Sequence, residues 1–198
     1  MLRLCDSIDS SILNENWYSA LLGALTLPDI CGAIEYPKLK ELKENGIVIN
    51  RYTKWFDEFV GEDYKIRHNL NKNSLTYLSR AATLTEHGHH LEQVSDTSFI
   101  ETFLNGYECY ILRCNYLHEG YGNTISADQR KNILNGFNFI RPIGPNIVVH
   151  NNLKGEVGNT IVQLQVDVFA KGMADHARDW WNSRADKESL ADNFLRIE

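Results

Sequence analysis

The chain has 198 residues, 43% of them hydrophobic and 23% charged, with a formal net charge of −6. That length buries a core without disulfide or metal staples and fits one domain over 1–198. The acidic balance argues against wrapping duplex DNA, whose phosphates demand clustered Lys and Arg, but leaves room for a small local site on a strand of RNA.

In chain order, "MLRLCDSIDSS" turns polar too soon for a signal peptide. "WYSALLGALTLPDICGAIEYP" carries an apolar helical pattern interrupted at Pro28. Proline has no amide proton to give, so Pro28 is expected to start a second helix, with Asp29 near its N-terminus and Pro37 beyond its end. No apolar run then reaches the roughly 18 residues of a membrane helix. A cytoplasmic protein with no membrane partner is the expectation.

"VINRYTKWFDEFV" places Val48, Tyr52, Trp55, Phe56 and Phe59 at three- and four-residue steps, the mark of an amphipathic helix. "SLTYLSRAATLTEH" reads as another helix capped by Ser74, and "EHGHHLEQVSD" as a polar connector. Ser98 is the expected cap of a long helix, "FIETFLNGYECYILRCNYLH". Gly106 is its weak point, at a cost of roughly 1 kcal/mol relative to Ala, and Gly120 and Gly122 are its stop. "SADQRKNILNGF" suggests a short helix from Ser126 to about Gly136.

After Pro142 and Pro145 the pattern changes. "NIVVHNNL", the turn-rich "KGEVGN" and the alternating "TIVQLQVDVF" read together as a β-hairpin. A helix follows, with Phe169, Met173, Ala177 and Trp180 on one stripe and Trp181 close by; from about Ser183 the chain looks loosely held. The expected class is mainly α within α+β: a helical core over approximately 47–140, with a hairpin and helix over approximately 146–182 leaning on it.

Cys5, Cys31, Cys109 and Cys114 form no CxxC pair, so a zinc ribbon is not indicated and all four read as reduced thiols. "EHGHH" offers His87, His89 and His90 with Glu86, but this short Gly-containing spacing suits a solvated loop better than a metal site. Cys114 and His118 share a helix face, yet catalytic thiols favour helix N-termini and this one is near a C-terminus. The tryptophans Trp17, Trp55, Trp180 and Trp181 read as core. Arg51 and Lys54 beside Tyr52 and Trp55, and the group Asp175, His176 and Asp179, read as solvated surface.

Arg113 and His118 are the leading candidates. Cleaving RNA needs a base for the 2′-hydroxyl proton, a task suited to the histidine pKa range, and a cation on the phosphorane, for which an arginine fork fits. No metal or cofactor is required. Five residues along a helix leave the two Cα positions roughly 140° apart, so alignment needs His118 at the helix end or two copies of the helix across a dimer axis. The plainer reading is an internal salt bridge for Arg113 and a helix C-terminal cap for His118.

"RCNYLH" resembles the ribonuclease motif of the HEPN superfamily, an Arg, four to six residues, then a His at the end of a long helix. More narrowly, "YECYILRCNYLHEG" is similar to a group of bacterial proteins with a Y-x-LRC-x-x-LH-x-G core, followed by an F-x-F segment (here Phe137 to Phe139), a hairpin and a Trp-ending helix. The polar residue that tends to follow the family's Arg is Cys114 here, and Asn115 comes one later. The resemblance implies a HEPN-like bundle and a metal-independent endoribonuclease in a toxin or phage-defence setting. Arg113 would bind phosphate and His118 act as general base or acid, with Asn115, Tyr116 and Glu119 as accessory neighbours. The implied partners are RNA or a nucleotide, a second copy of the chain through the 98–118 helix, and an antitoxin protein. The alternatives are a non-catalytic nucleotide-, RNA- or protein-binding module, and a structural dimer with Arg113 and His118 buried and satisfied.

Overall fold

The computed structural model describes residues 1–44, 47–69, 90–95, 98–119, 136–156 and 159–191. Helix and strand are mixed, an α+β arrangement, with more strand than one late hairpin. Helix α1 (Leu2–Leu13), for which the sequence reading held no expectation, buries Cys5 and Ile8. Helix α2 (Trp17–Glu35) is one helix rather than two, and Pro28 lies buried inside it. Asn16 caps its start by accepting from the Ser19 amide, and the helix stops before Pro37 as expected. Continuity through Pro28 makes α2, of 19 residues, long and apolar enough to cross a membrane by length and composition, which corrects the expectation that no run reaches that length. In this fold its buried residues, among them Ala20, Ala24, Leu25 and Cys31, are taken up by α1, by α3 and by the long C-terminal helix. Burying that apolar surface repays the hydrogen bond lost at proline.

A short antiparallel pair, β1 (Leu42–Glu44) with β2 (Ile47–Ile49), leads into α3 (Arg51–Phe59). Val48, expected on the helix, is therefore in β2. A capping box fixes the start of α3: the Asn50 side chain accepts from the Thr53 amide and the Thr53 hydroxyl accepts from the Asn50 amide, each at 3.0 Å. Tyr52, Trp55 and Phe56 are buried. After a 3-10 turn at Gly61–Tyr64, β3 (Lys65–Asn69), β4 (His90–Ser95) and β5 (Ser98–Thr102) form an antiparallel sheet with β5 in the middle.

This sheet overturns two expectations. The stretch read as a polar connector contributes β4, and Ser98 caps no helix because 98–102 is strand. Phe99 and Glu101 are buried, and Glu101 meets His68 Nε2 at 2.6 Å while the His68 ring stacks on Phe99. The long helix, α4 (Gly106–Glu119), starts later than expected. Its cap is Asn105, whose side chain accepts from the Glu108 amide while the Glu108 carboxylate accepts from the Asn105 amide, both at 2.9 Å. The helix candidates at Ser74 and Ser126 and the stop at Gly120 and Gly122 lie outside the described residues.

Gly136, expected to end a helix, opens β6 (Gly136–Ile140). The hairpin exists as β7 (Asn152–Glu156) and β8 (Asn159–Gln165), starting later than expected, and β6 joins it in parallel on the other side of β8. Val166 and Val168, expected in the strand, already belong to α5 (Val166–Ser183), which follows β8 directly. The α5 stripe is as expected: Phe169, Met173, Ala177, Trp180 and Trp181 are buried. Residues 184–191 are better held than the sequence suggested. A short α6 (Lys187–Ala191) follows, and Arg184 pairs with Glu35 and Asp186 and lies over the Trp180 ring, which is edge-on to Trp55.

Gly106 is not the weak point of α4 but a contact residue. A Cβ built there would sit 2.2 Å from the Thr53 carbonyl oxygen, and its amide donates to Asp57 Oδ1 at 2.6 Å. Intrinsic propensity favours Ala at this position by roughly 1 kcal/mol. Gly106→Ala should instead lower stability by about 1–2 kcal/mol, because backbone overpacking outweighs propensity; a urea melt checks the sign. A second expectation concerns His150. Burial lowers its pKa below the ordinary value, against the opposing pull of Asp167 and Asp63, and its Nδ1 accepts from the Gln165 amide at 3.2 Å. A histidine with a depressed folded pKa stabilises the fold above its unfolded pKa, near 6.5, and that contribution is lost as pH falls through the folded value. Melting temperature should therefore drop on acidification from about pH 6.5, and less steeply in His150→Gln.

Candidate functional site

The first turn of α4 is buried all round, from Gly106 to Cys109, and Leu112 is buried beyond it, while Arg113, Cys114, Asn115, Tyr116 and Leu117 are half-buried. The thiol of Cys109 contacts the Tyr52 hydroxyl at 3.2 Å, and burial pushes it far above the ordinary thiol range. All four cysteines are free thiols. Cys114, half-buried, faces Arg113 Nη1 at 3.9 Å.

The guanidinium of Arg113 is committed to α2. Its Nε and Nη2 both donate to Asp29 Oδ2, each at 2.8 Å, joining residues 84 apart in sequence. The pair is half-exposed, with side-chain exposures of 25% and 36%, so water and salt still reach it. Burial pulls the Arg113 pKa down, but Asp29 and Cys114 together carry it above its ordinary value. Burial raises the Asp29 pKa, and the attraction of Arg113 only partly offsets this. The arginine thus stays charged while the carboxylate is held at some cost.

Arg113 borders an open groove of about 360 Å3 that also involves Asp29, Glu41, Arg51, Tyr52 and Tyr110. Arg51 does not belong to a solvated face, as the sequence suggested: it donates to the Leu39 and Pro37 carbonyls at 3.2 and 2.6 Å. Lys54 is exposed and lies over the Tyr36 ring at 4.4 Å.

His118 and Glu119 are in the last turn of α4, but their side chains lie outside the described residues, and so does any Cys114–His118 contact. Asn115 has no side-chain hydrogen bond to another described residue. Tyr116 lines a different cleft, one turn beyond Arg113, and burial raises its hydroxyl pKa, with Tyr18 adding to the shift. Of the EHGHH stretch, residues 86–89 lie outside the described residues; His90 is in β4, its side chain undescribed. Among the described residues no group of three or more His, Cys, Asp or Glu could hold a metal ion. Asp175 and His176 have partners the sequence did not reveal: Asp175 accepts from Lys171 and Arg178, and His176 Nε2 meets Asp63 Oδ2 at 2.8 Å.

Sequence reasoning missed Asp29 as the partner of Arg113. The available signal was a carboxylate embedded in an otherwise apolar helix, which needs a cation once the helix is buried. Comparison with known proteins finds no family model, no curated protein and no solved structure that matches this chain.

Because burial opposes the Asp29 charge and the pair is half-exposed, its net stabilisation is small. Asp29→Asn should change stability at pH 7 by less than about 1 kcal/mol while freeing the arginine fork. Thermal melts with and without inorganic phosphate would read both effects, with a larger phosphate-induced rise in the variant.

Proposed function

We propose that the chain is a metal-independent endoribonuclease of HEPN type, acting as a homodimer through α4. The observation that carries the reading is that Arg113 and His118 share this one helix and that the Arg113 guanidinium borders an open groove rather than a sealed core. Arg113 would hold the scissile phosphate, exchanging the single oxygen of Asp29 for phosphate oxygens that match its fork. His118 would take the 2′-hydroxyl proton, and the oxygen so released attacks phosphorus and breaks the P–O5′ bond, leaving a 2′,3′-cyclic phosphate and a 5′-oxygen that takes its proton from water. On one continuous helix the two residues are about 140° apart, so one copy aims them in different directions. Two copies of α4 across a dyad bring the arginine of one to the histidine of the other. An antitoxin protein and a toxin or defence setting rest on the resemblance of the Arg–His motif alone.

The Asp29–Arg113 pair favours a second reading, a non-catalytic nucleotide- or RNA-binding module in which the arginine is chiefly structural. Cleavage of RNA by the purified chain in EDTA separates the two. The nuclease reading expects cyclic-phosphate ends, with a loss of about 100-fold or more in His118→Ala at unchanged melting temperature. A His118→Ala variant that cleaves at the wild-type rate removes His118 from the mechanism. RNA that raises the melting temperature of wild type without being cut supports the binding module.

A further inference from the structure

The seam between α2 and α4 opens again beyond the Arg113–Asp29 pair. Tyr116, about 4.5 Å further along the helix axis, lines a cleft of about 390 Å3 with Trp17, Tyr18, Leu21, Phe139 and Arg141. Three properties set this cleft apart from the Arg113 groove. Four aromatic residues share its walls with the aliphatic Leu21, Ile140 and Val166, and Trp17, Tyr116 and Phe139, though packed against the core, are only partly buried and keep part of their surface open. Tyr18 is 80% exposed at its edge, an unusual position for a large aromatic in the first turn of a core helix. Among the described residues its only charged lining residue is Arg141, which is exposed and makes no hydrogen bond or ion pair with another of them. Among the described residues no carboxylate lines the cleft; the Arg113 groove holds both Asp29 and Glu41.

We infer that this cleft is a nucleotide subsite, taking one base against the Tyr18, Tyr116, Trp17 and Phe139 side chains with Arg141 on the attached phosphate. The inference rests on the RNA reading of Arg113 and His118 and extends it to a second site on α4. Aromatic faces stack on any base, and an arginine left without a carboxylate is free for a phosphate. The volume sits at the low end of small-molecule sites and suits a single nucleotide unit. An apolar peptide would fill the walls equally well but would leave Arg141 unanswered.

Calorimetric titration of the full chain in EDTA tests this, with adenosine 5′-monophosphate and a short single-stranded 2′-O-methyl oligoribonucleotide, which lacks the 2′-hydroxyl needed for cleavage, as probes and inorganic phosphate as control. Both nucleotide probes should bind more tightly than phosphate. Tyr18→Ala and Arg141→Ala, both exposed and so tolerated by the fold, should each weaken binding by roughly tenfold. The arginine variant should also flatten the salt dependence. Nucleotides that produce no heat, or that bind both variants as tightly as wild type, overturn the inference. The two readings fail separately. A wild-type chain that binds the monophosphate at the cleft but cuts no RNA removes catalysis and keeps the subsite. One that cuts RNA with a KM unchanged by Tyr18→Ala removes the subsite and keeps catalysis.

Discussion

The first turn of α3 is held between two glycines. A Cβ on Gly32 of α2 would lie 2.3 Å from the Arg51 carbonyl oxygen, and one on Gly106 of α4 would lie 2.2 Å from that of Thr53. Backbone therefore meets backbone on both sides of one helical turn, a closeness that any side chain would prevent. The Asn50–Thr53 capping box fixes the turn itself, and Asp57, still on α3, takes the first amide of α4. The spacing and direction of α2, α3 and α4 follow from this clamp. Asp29 is one turn before Gly32 on α2 and Arg113 two turns after Gly106 on α4, so the clamp also determines that these two side chains meet.

The electrostatics of the seam follow. An arginine on a half-buried helix must find an anion or water, and the clamp delivers a single carboxylate oxygen of Asp29 to two of its nitrogens. Burial works against that carboxylate, so the ion pair is a poised contact rather than a strong anchor. On one side of it lies a groove of mixed charge; on the other, a partly aromatic cleft whose single charge among the described residues is Arg141. Under the proposed RNA reading, a strand laid along α4 would meet the cleft and the Arg113 fork in turn. Bulk charge plays no part in this: the chain is acidic, and what matters is which few side chains lack a carboxylate within reach.

The remaining elements hold α2 and α4 in place. Helix α5 fills the other side of α2 with Phe169, Met173 and Trp180, and the indole nitrogen of Trp180 donates to Glu35 at the end of α2. Arg184 pairs with the same Glu35 and covers the Trp180 ring. The sheet of β6, β8 and β7 contributes Phe137, Val162 and Leu164 to the common core. Its first strand also carries Phe139 and leads to Arg141, and so supplies one wall of the cleft.

Local pattern was enough to find α3, the α5 stripe, the β7–β8 hairpin and the helix that carries Arg113, because each is written in near-neighbour periodicity and burial follows it. The sequence also singled out Arg113 and His118, since a charged residue and a histidine in an apolar helix stand out without any structure. It misjudged Pro28, Ser98 and Gly106 for a common reason: propensity and capping are weak local terms, and each was overridden by contacts distant in the chain. Pro28 stays helical because α2 is buried from several sides, 98–102 is strand because β3 and β4 pair with it, and Gly106 is required by Thr53. Asp29 opposite Arg113, and the union of Trp17, Tyr116 and Arg141 around one cleft, join residues far apart in the chain. The sequence by itself determined which side chains were available for chemistry. Only the tertiary structure decided which of them meet, because that depends on how closely the helix backbones approach, and no local pattern encodes that distance.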